Sequence, residues 1–172
     1  MPINYDQAIT LNRWSKPMTN IAAVINDMGP SQKAFYLIKE FNKALGDIRI
    51  SVSTFFNMAM APVIRPLFCC NNIAFIANYH GHAISTTLTE ADMLLKSNNN
   101  STKYLYLWDI DWLAQSVHFT PAMNILWDDR LNIIARSKSH SDIIENFCNK
   151  SPIGIVDNWN LDQLMEVIDD DR

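Results

Sequence analysis

The chain has 172 residues, of which 48% are hydrophobic and 19% charged, so it has enough apolar material for a core and too little charge for a disordered protein. The 14 Lys and Arg residues are outnumbered by 18 Asp and Glu, and a net charge of −4 gives no support for general binding to nucleic acid. The apolar runs are too short to cross a bilayer, so we expect neither a membrane segment nor a secretory signal.

The cysteines and glycines exclude several common classes of site. Cys69, Cys70 and Cys148 are odd in number, and their spacing fits neither a disulfide framework nor a CxxC metal site. We therefore expect a cytoplasmic protein. The four glycines form neither GxGxxG nor GxxxxGK[ST], so the sequence contains no glycine-rich phosphate loop of a known type.

The first part of the chain predicts a strand, a turn and a helix. Residues 1–18 resemble an irregular lead-in. The continuous apolar run at 21–25 is typical of a strand buried on both faces of a parallel sheet. Ser31 is a candidate N-cap, and apolar residues then recur at helical spacing until Gly46 ends the helix.

The remaining elements continue the alternation. A strand is predicted at 48–56, then a short strand and a short helix within 67–77, then a strand at 82–88 followed by a helix capped by Thr89. Later strands are predicted at 103–108, 131–135 and 153–156, with helices at 139–147 and 161–168. This order predicts an α/β protein: a Rossmann-like parallel sheet flanked by helices on both faces, in a single domain spanning 19–172.

Because ligands of open parallel sheets bind beyond the carboxyl ends of the strands, the turns there are the candidate binding sites. In the first turn, Asp27, Gly29 and Ser31 are candidate substrate-binding residues, since Gly29 allows close approach of the backbone and the helix start can bind an anion or a sugar hydroxyl. The alternative is a capped turn without a ligand. Elsewhere in the chain, His80 and His82 are separated by a single glycine. They lack the further ligands of a familiar metal site, and we assign no metal to them.

A second turn follows the strand at 103–108 and contains Asp109 and Asp111. A carboxylate at the tip of a buried strand is costly to desolvate unless it is paired or used, so Asp109 is a candidate general base, with Asp111 assisting. The pair could instead hold a divalent cation as a DxD element. The structural alternative is that Asp109 caps a helix that begins near Ile110.

A third turn contains Arg136, Ser137 and His140, and we predict that it binds substrate. The guanidinium of Arg136 can bind a phosphate or carboxylate through two donors. Ser137 and Ser139 can bond a sugar or cap the following helix.

Together the turn at 27–31, the strand ending in Trp108-Asp109-Ile110-Asp111 and the segment 133–140 resemble the N-terminal, acceptor-side half of GT-B glycosyltransferases, phage-type members in particular. The resemblance covers about residues 20–168. It implies that this domain holds the acceptor and that Asp109 serves as the base. It also implies a nucleotide-sugar donor, and the host cytoplasm as location if the source is viral.

A GT-B enzyme needs a second domain for the donor, and these 172 residues leave no room for it. The resemblance therefore implies either half of a transferase whose donor domain is a separate chain, or a binding module without transfer activity. Two alternatives stay open. One is a small metal-dependent transferase that uses Asp109 and Asp111 as its DxD. The other is a non-enzymatic structural or interaction protein, of a kind that a virus could encode, in which the tryptophans form a core or a partner surface.

Overall fold

The computed structural model describes residues 18–110, 113 and 119–170, so the predicted lead-in lies outside the described residues except for Met18. The strands are β1 (Thr19–Asp27), β2 (Ile50–Met58), β3 (Cys69–Asn72), β4 (His82–Ser85), β5 (Thr102–Leu107), β6 (Leu131–Ala135) and β7 (Gly154–Ile155). The helices are α1 (Gln32–Lys43), α2 (Leu88–Lys96), α3 (Phe119–Leu126), α4 (Lys138–Cys148) and α5 (Leu161–Asp170), with a 3₁₀-helix at Ile73–Asn78.

The seven strands of the described residues are all parallel and lie in the order β3-β2-β1-β4-β5-β6-β7. The chain steps outward from β1 to β3, crosses to the other side of β1 at β4, and then continues outward to β7. The direction of travel reverses between β1 and β4, which makes the carboxyl ends of these strands the topological switch point where open α/β sheets bind ligands.

Helices cover both faces of the sheet, and β1 shows why its sequence is continuously apolar. Ile21, Ala23 and Ile25 pack into the core that contains α1 and α5. Ala22 and Val24 point to the opposite face, where they pack with residues of the 3₁₀-helix and α2. A strand that is buried on both sides cannot show polar alternation. The predicted α/β Rossmann-like fold with helices on both faces is confirmed.

The helix starts show where local prediction was right and where it was wrong. Ser31 caps α1, since its Oγ accepts a hydrogen bond from the backbone N–H of Ala34 (3.1 Å). The predicted cap of α2 at Thr89 is wrong. Thr87 is the N-cap, because its hydroxyl accepts from the backbone of Glu90 (3.3 Å) while the Glu90 carboxylate accepts from the backbone of Thr87 (2.9 Å).

Two further differences are the end of one strand and a helix that was not predicted. The strand predicted at 82–88 ends at Ser85, because the chain turns at Thr86 and Thr87 into α2. Helix α3 has no counterpart among the predicted elements; its only proline, Pro121, lies in the first turn, where a missing N–H breaks no helical bond. No described helix is long and apolar enough to cross a membrane.

Candidate functional site

A cleft of about 420 Å³ opens at the carboxyl edge of the sheet, where β1 and β5 end. Its walls come from the end of β1, the start of α1 and the two residues that follow β5. The lining residues are Ile25, Asn26, Asp27, Ser31, Gln32, Lys33, Trp108 and Asp109. The lining is mostly polar and carries charges of both signs, so the cleft suits a hydroxyl-bearing ligand better than an apolar one.

Three of the predicted site residues meet in this cleft. Asp27 and Ser31 come from the first turn, and Asp109 comes from the end of β5, more than 75 positions later in the chain. Asp109 is exposed, with its carboxylate open to solvent and to a ligand, whereas the Trp108 side chain beside it is only 4% exposed. The fold therefore places an exposed carboxylate directly after a buried aromatic residue at the end of a strand.

Asp27 also shapes the turn on which it lies. Its Oδ1 accepts a hydrogen bond from the backbone N–H of Gly29 (2.9 Å), and its Oδ2 accepts from the side chain of Asn26 (3.1 Å). Gly29 is buried, and a Cβ at this position would lie 3.1 Å from Cβ of Met60. The space beside Gly29 is thus occupied by Met60, and Gly29 is not among the residues that line the cleft.

The third predicted turn joins the cleft through Trp108. The Cζ atom of Arg136 lies 3.8 Å from the ring centroid of Trp108, and its Nη2 donates to Oδ1 of Asn158 (2.9 Å). Ser137 is the N-cap of α4, accepting from the backbone N–H of His140 (3.3 Å). The three predicted residues Arg136, Ser137 and His140 lie beside the cleft and not in its lining.

A buried carboxylate that was not among the predicted site residues, that of Glu90, lies just beyond the end of the neighbouring strand β4. Glu90 is 5% exposed, and its Oε2 accepts from the backbone and hydroxyl of Thr86 and from the backbone of Thr87 at 2.8–2.9 Å. Its Oε1 is buried and has no hydrogen-bond partner among the described residues. Burial raises the pKa of Glu90, and the hydrogen bonds from Thr86, followed by the charge of Lys33 in the cleft, oppose that effect.

The missed residues differ in whether the sequence could have revealed them. The spacing of Thr87 and Glu90 is that of a capping box, so the sequence contained a local signal for Glu90. Gln32 and Lys33 directly follow the cap Ser31, and the helix start alone would have placed them next to any ligand of this turn. The proximity of Lys33 to Glu90 depends on the strand order and has no local signal.

Only some of the candidate metal ligands lie within the described part of the chain. Asp111 lies outside the described residues, so the structure does not describe the DxD pair. Within residues 18–110, 113 and 119–170, no group of three or more His, Cys, Asp or Glu side chains is placed to hold a metal ion. His82 lies at the amino end of β4, on the edge of the sheet opposite the cleft, with its ring nitrogen 3.2 Å from the hydroxyl of Tyr104.

The tryptophans divide between core and surface. Trp108 and Trp159 are buried in the core, Trp127 is 57% exposed, and Trp112 lies outside the described residues. The exposed Trp127 donates its indole N–H to the backbone carbonyl of Cys148 (2.7 Å). The described tryptophans therefore do not form one common surface.

Comparison with known proteins identified no relative of this chain. No protein-family model, curated protein or solved structure matches the chain.

Proposed function

We propose that this domain binds a hydroxyl-rich small molecule in the cleft, as the acceptor-side half of a glycosyl transfer system. The observation that supports this proposal is the meeting of Asp27, Ser31 and Asp109 in one polar cleft beside the topological switch point. Carboxylate and amide oxygens accept hydrogen bonds from sugar or nucleoside hydroxyls, and the ammonium group of Lys33 donates them. A cleft with few apolar groups recognises such a ligand by hydrogen bonding.

In the proposed reaction Asp109 acts as the base. Its carboxylate takes the proton of the acceptor hydroxyl while the hydroxyl oxygen forms a bond to the anomeric carbon of the sugar. The bond from that carbon to the diphosphate of a nucleotide-sugar donor breaks, and the diphosphate leaves with the electron pair. An exposed carboxylate just after a strand end suits this role because an acceptor that enters the cleft can reach it.

The cleft is open, and a transfer reaction needs water to be excluded, so the proposal includes a donor-binding domain supplied outside these residues. A short exposed apolar segment at the same edge of the sheet favours such a cover. Met58 ends β2 and Met60 follows it, and their side chains are 52% and 48% exposed. Met60 also packs beside Gly29, so this segment borders the first turn of the site.

A thermal-shift titration with nucleotide sugars and free sugars or nucleosides, with and without Mn²⁺ or Mg²⁺, tests the binding step. A ligand at 100 times its Kd adds about 2.7 kcal/mol of stability, which raises Tm by roughly 5–11 °C for a chain of this length. We expect acceptor-type compounds to produce the shift. A shift that requires both a nucleotide sugar and a metal ion would instead support the DxD alternative.

The role of Asp109 is tested by Asp109→Asn, with Asp162→Asn as the matched control. Asp162 is an exposed aspartate in the first turn of α5, at a site distant in sequence from every residue of the cleft. We expect both variants to fold and only Asp109→Asn to lose turnover when the donor half is present. Full turnover by Asp109→Asn would remove Asp109 from the mechanism.

A further inference from the structure

Arg136 is a partly buried cation that forms no ion pair within 4.0 Å among the described residues. Its guanidinium lies over the ring of Trp108 at 3.8 Å, and its one hydrogen bond within the described chain goes to the neutral amide of Asn158. Arg49 and Arg130, by contrast, each form an ion pair with the aspartate two residues earlier in the chain. A stacked guanidinium keeps its other N–H donors available for an anion.

The loop that holds Arg136 in place has an unusual backbone. Asn158 and Trp159 are successive non-glycine residues with positive φ angles of 46° and 62°. The conformation is fixed because Trp159 is fully buried, with its ring 4.8 Å from that of Tyr106. Backbone conformations of this kind concentrate where a protein must position a functional group. Here the positioned group is the Asn158 amide, which contacts Arg136.

The start of α4 adds to the positive potential at this point. Ser137 caps the helix directly after Arg136, and the first N–H groups of an 11-residue helix carry partial positive charge. In the same turn, Nδ1 of His140 is buried and has no hydrogen-bond partner among the described residues. The arginine, the helix start and the histidine therefore belong to one short segment beside Trp108, which also lines the cleft.

We propose that Arg136, positioned by Trp108 and Asn158, binds a phosphate group of the ligand whose hydroxyl-bearing part occupies the cleft. The second half of this statement rests on the proposed function; the anion site itself does not. The guanidinium donates two parallel hydrogen bonds to phosphate oxygens, and the start of α4 contributes further donors. The ligand class is then a phosphorylated sugar or a nucleotide, and a neutral sugar lacks one of the two contacts.

Inorganic phosphate is the first probe, titrated against the Tm of the protein at constant ionic strength set with NaCl. Three variants are compared with the unmodified protein. Arg136→Gln removes the cation, and Asn158→Asp places a carboxylate against Arg136 while keeping a side chain that tolerates positive φ. Lys138→Gln is the matched control, because Lys138 is an exposed cation on the same helix turn that pairs with Asp142.

We expect phosphate to raise the Tm of the unmodified protein and of Lys138→Gln, and to leave that of Arg136→Gln and Asn158→Asp unchanged. The inference is overturned by the absence of a shift in the unmodified protein, by an equal shift in Arg136→Gln, or by an equal loss in Lys138→Gln. If Arg136→Gln does not fold by far-ultraviolet circular dichroism, Asn158→Asp carries the same test.

Two further ligands, a hexose 1-phosphate and a nucleoside 5′-monophosphate, distinguish a phosphorylated sugar from a nucleotide as the natural ligand class. The ligand that contacts both Arg136 and the cleft should bind at least tenfold more tightly than inorganic phosphate does. Asp109→Asn should remove that gain in affinity and leave the affinity for inorganic phosphate unchanged. If phosphate fails to bind Arg136 while neutral acceptors still bind the cleft, only this inference is wrong. If phosphate binds at Arg136 and no sugar or nucleoside binds the cleft, the proposed function is wrong and the assignment of the anion site still holds.

Discussion

Replacement of Glu90 tests how the turn beside the cleft is held in place. In Glu90→Ala the backbone N–H groups of Thr86 and Thr87 and the hydroxyl of Thr86 lose their acceptor. Two orphaned amides at about 1.5 kcal/mol each and one hydroxyl bond at about 1 kcal/mol give about 4 kcal/mol. Removal of a buried carboxylate oxygen that has no partner among the described residues offsets about 1 kcal/mol of this.

The net loss of about 3 kcal/mol corresponds to a fall in Tm of roughly 6–12 °C for a chain of this length. Glu90→Gln keeps an oxygen in the acceptor position and removes the charge. It should lie within about 1 kcal/mol of the unmodified protein. Asp92→Asn, on the same helix, breaks only the partly exposed pair with Lys96 and should change stability by less than about 1 kcal/mol.

Glu90 also gives stability a pH dependence whose sign is fixed by its raised pKa. Above the ordinary glutamate pKa the folded state binds more protons at Glu90 than the unfolded state does. The stability from this group is therefore complete below the unfolded pKa and is lost as the pH rises through the folded pKa. Glu90→Gln should gain on the unmodified protein across that window. Thermal unfolding between pH 4 and pH 8 measures the stability of the unmodified protein and of each variant. Equal stability of Glu90→Ala and Glu90→Gln at every pH would refute the assigned role of the hydrogen bonds that Glu90 accepts.

Two further predictions concern contacts made by β7 and by the residue that follows it. Tyr106→Phe should destabilise the protein by about 1–3 kcal/mol, because the buried hydroxyl donates to the carbonyl of Val156 (2.6 Å) and its loss leaves that carbonyl unpaired. An unchanged urea midpoint would contradict it. Gly154→Ala should cost about 1–3 kcal/mol, because the added Cβ would clash with Cγ2 of Val167 on α5. The double variant Gly154→Ala/Val167→Ala should be less destabilised than the sum of the two single variants, and exact additivity would argue against the clash.

The strands and most helices could be predicted because their signals are local. The run at 21–25 is buried on both faces and is therefore apolar throughout, and Ser31 lies directly before a helical pattern. The error at Thr89 arose from two threonines that both fit a cap. Only Thr87 has a glutamate three residues later, so the correct signal was present and was not used.

The site was predictable only in outline. The rule that ligands bind at the carboxyl ends of parallel strands led to Asp27, Ser31 and Asp109, which the structure places in one cleft. The stack of Arg136 on Trp108 and its hydrogen bond to Asn158 join residues 22 to 28 positions apart and depend on which strands are neighbours. The positive φ of Trp159 has no local signal, because tertiary packing against Tyr106 imposes it.

The most direct test of the account is to map where a ligand binds. Two-dimensional ¹H–¹⁵N NMR spectra of the protein would be recorded during titration with the acceptor-type compound that gives the largest thermal shift. The account predicts that the largest changes cluster at 26–33 and 108–109, at the carboxyl edge of the sheet. Changes that cluster instead at the amino edge, around His82 and Thr102, would contradict it.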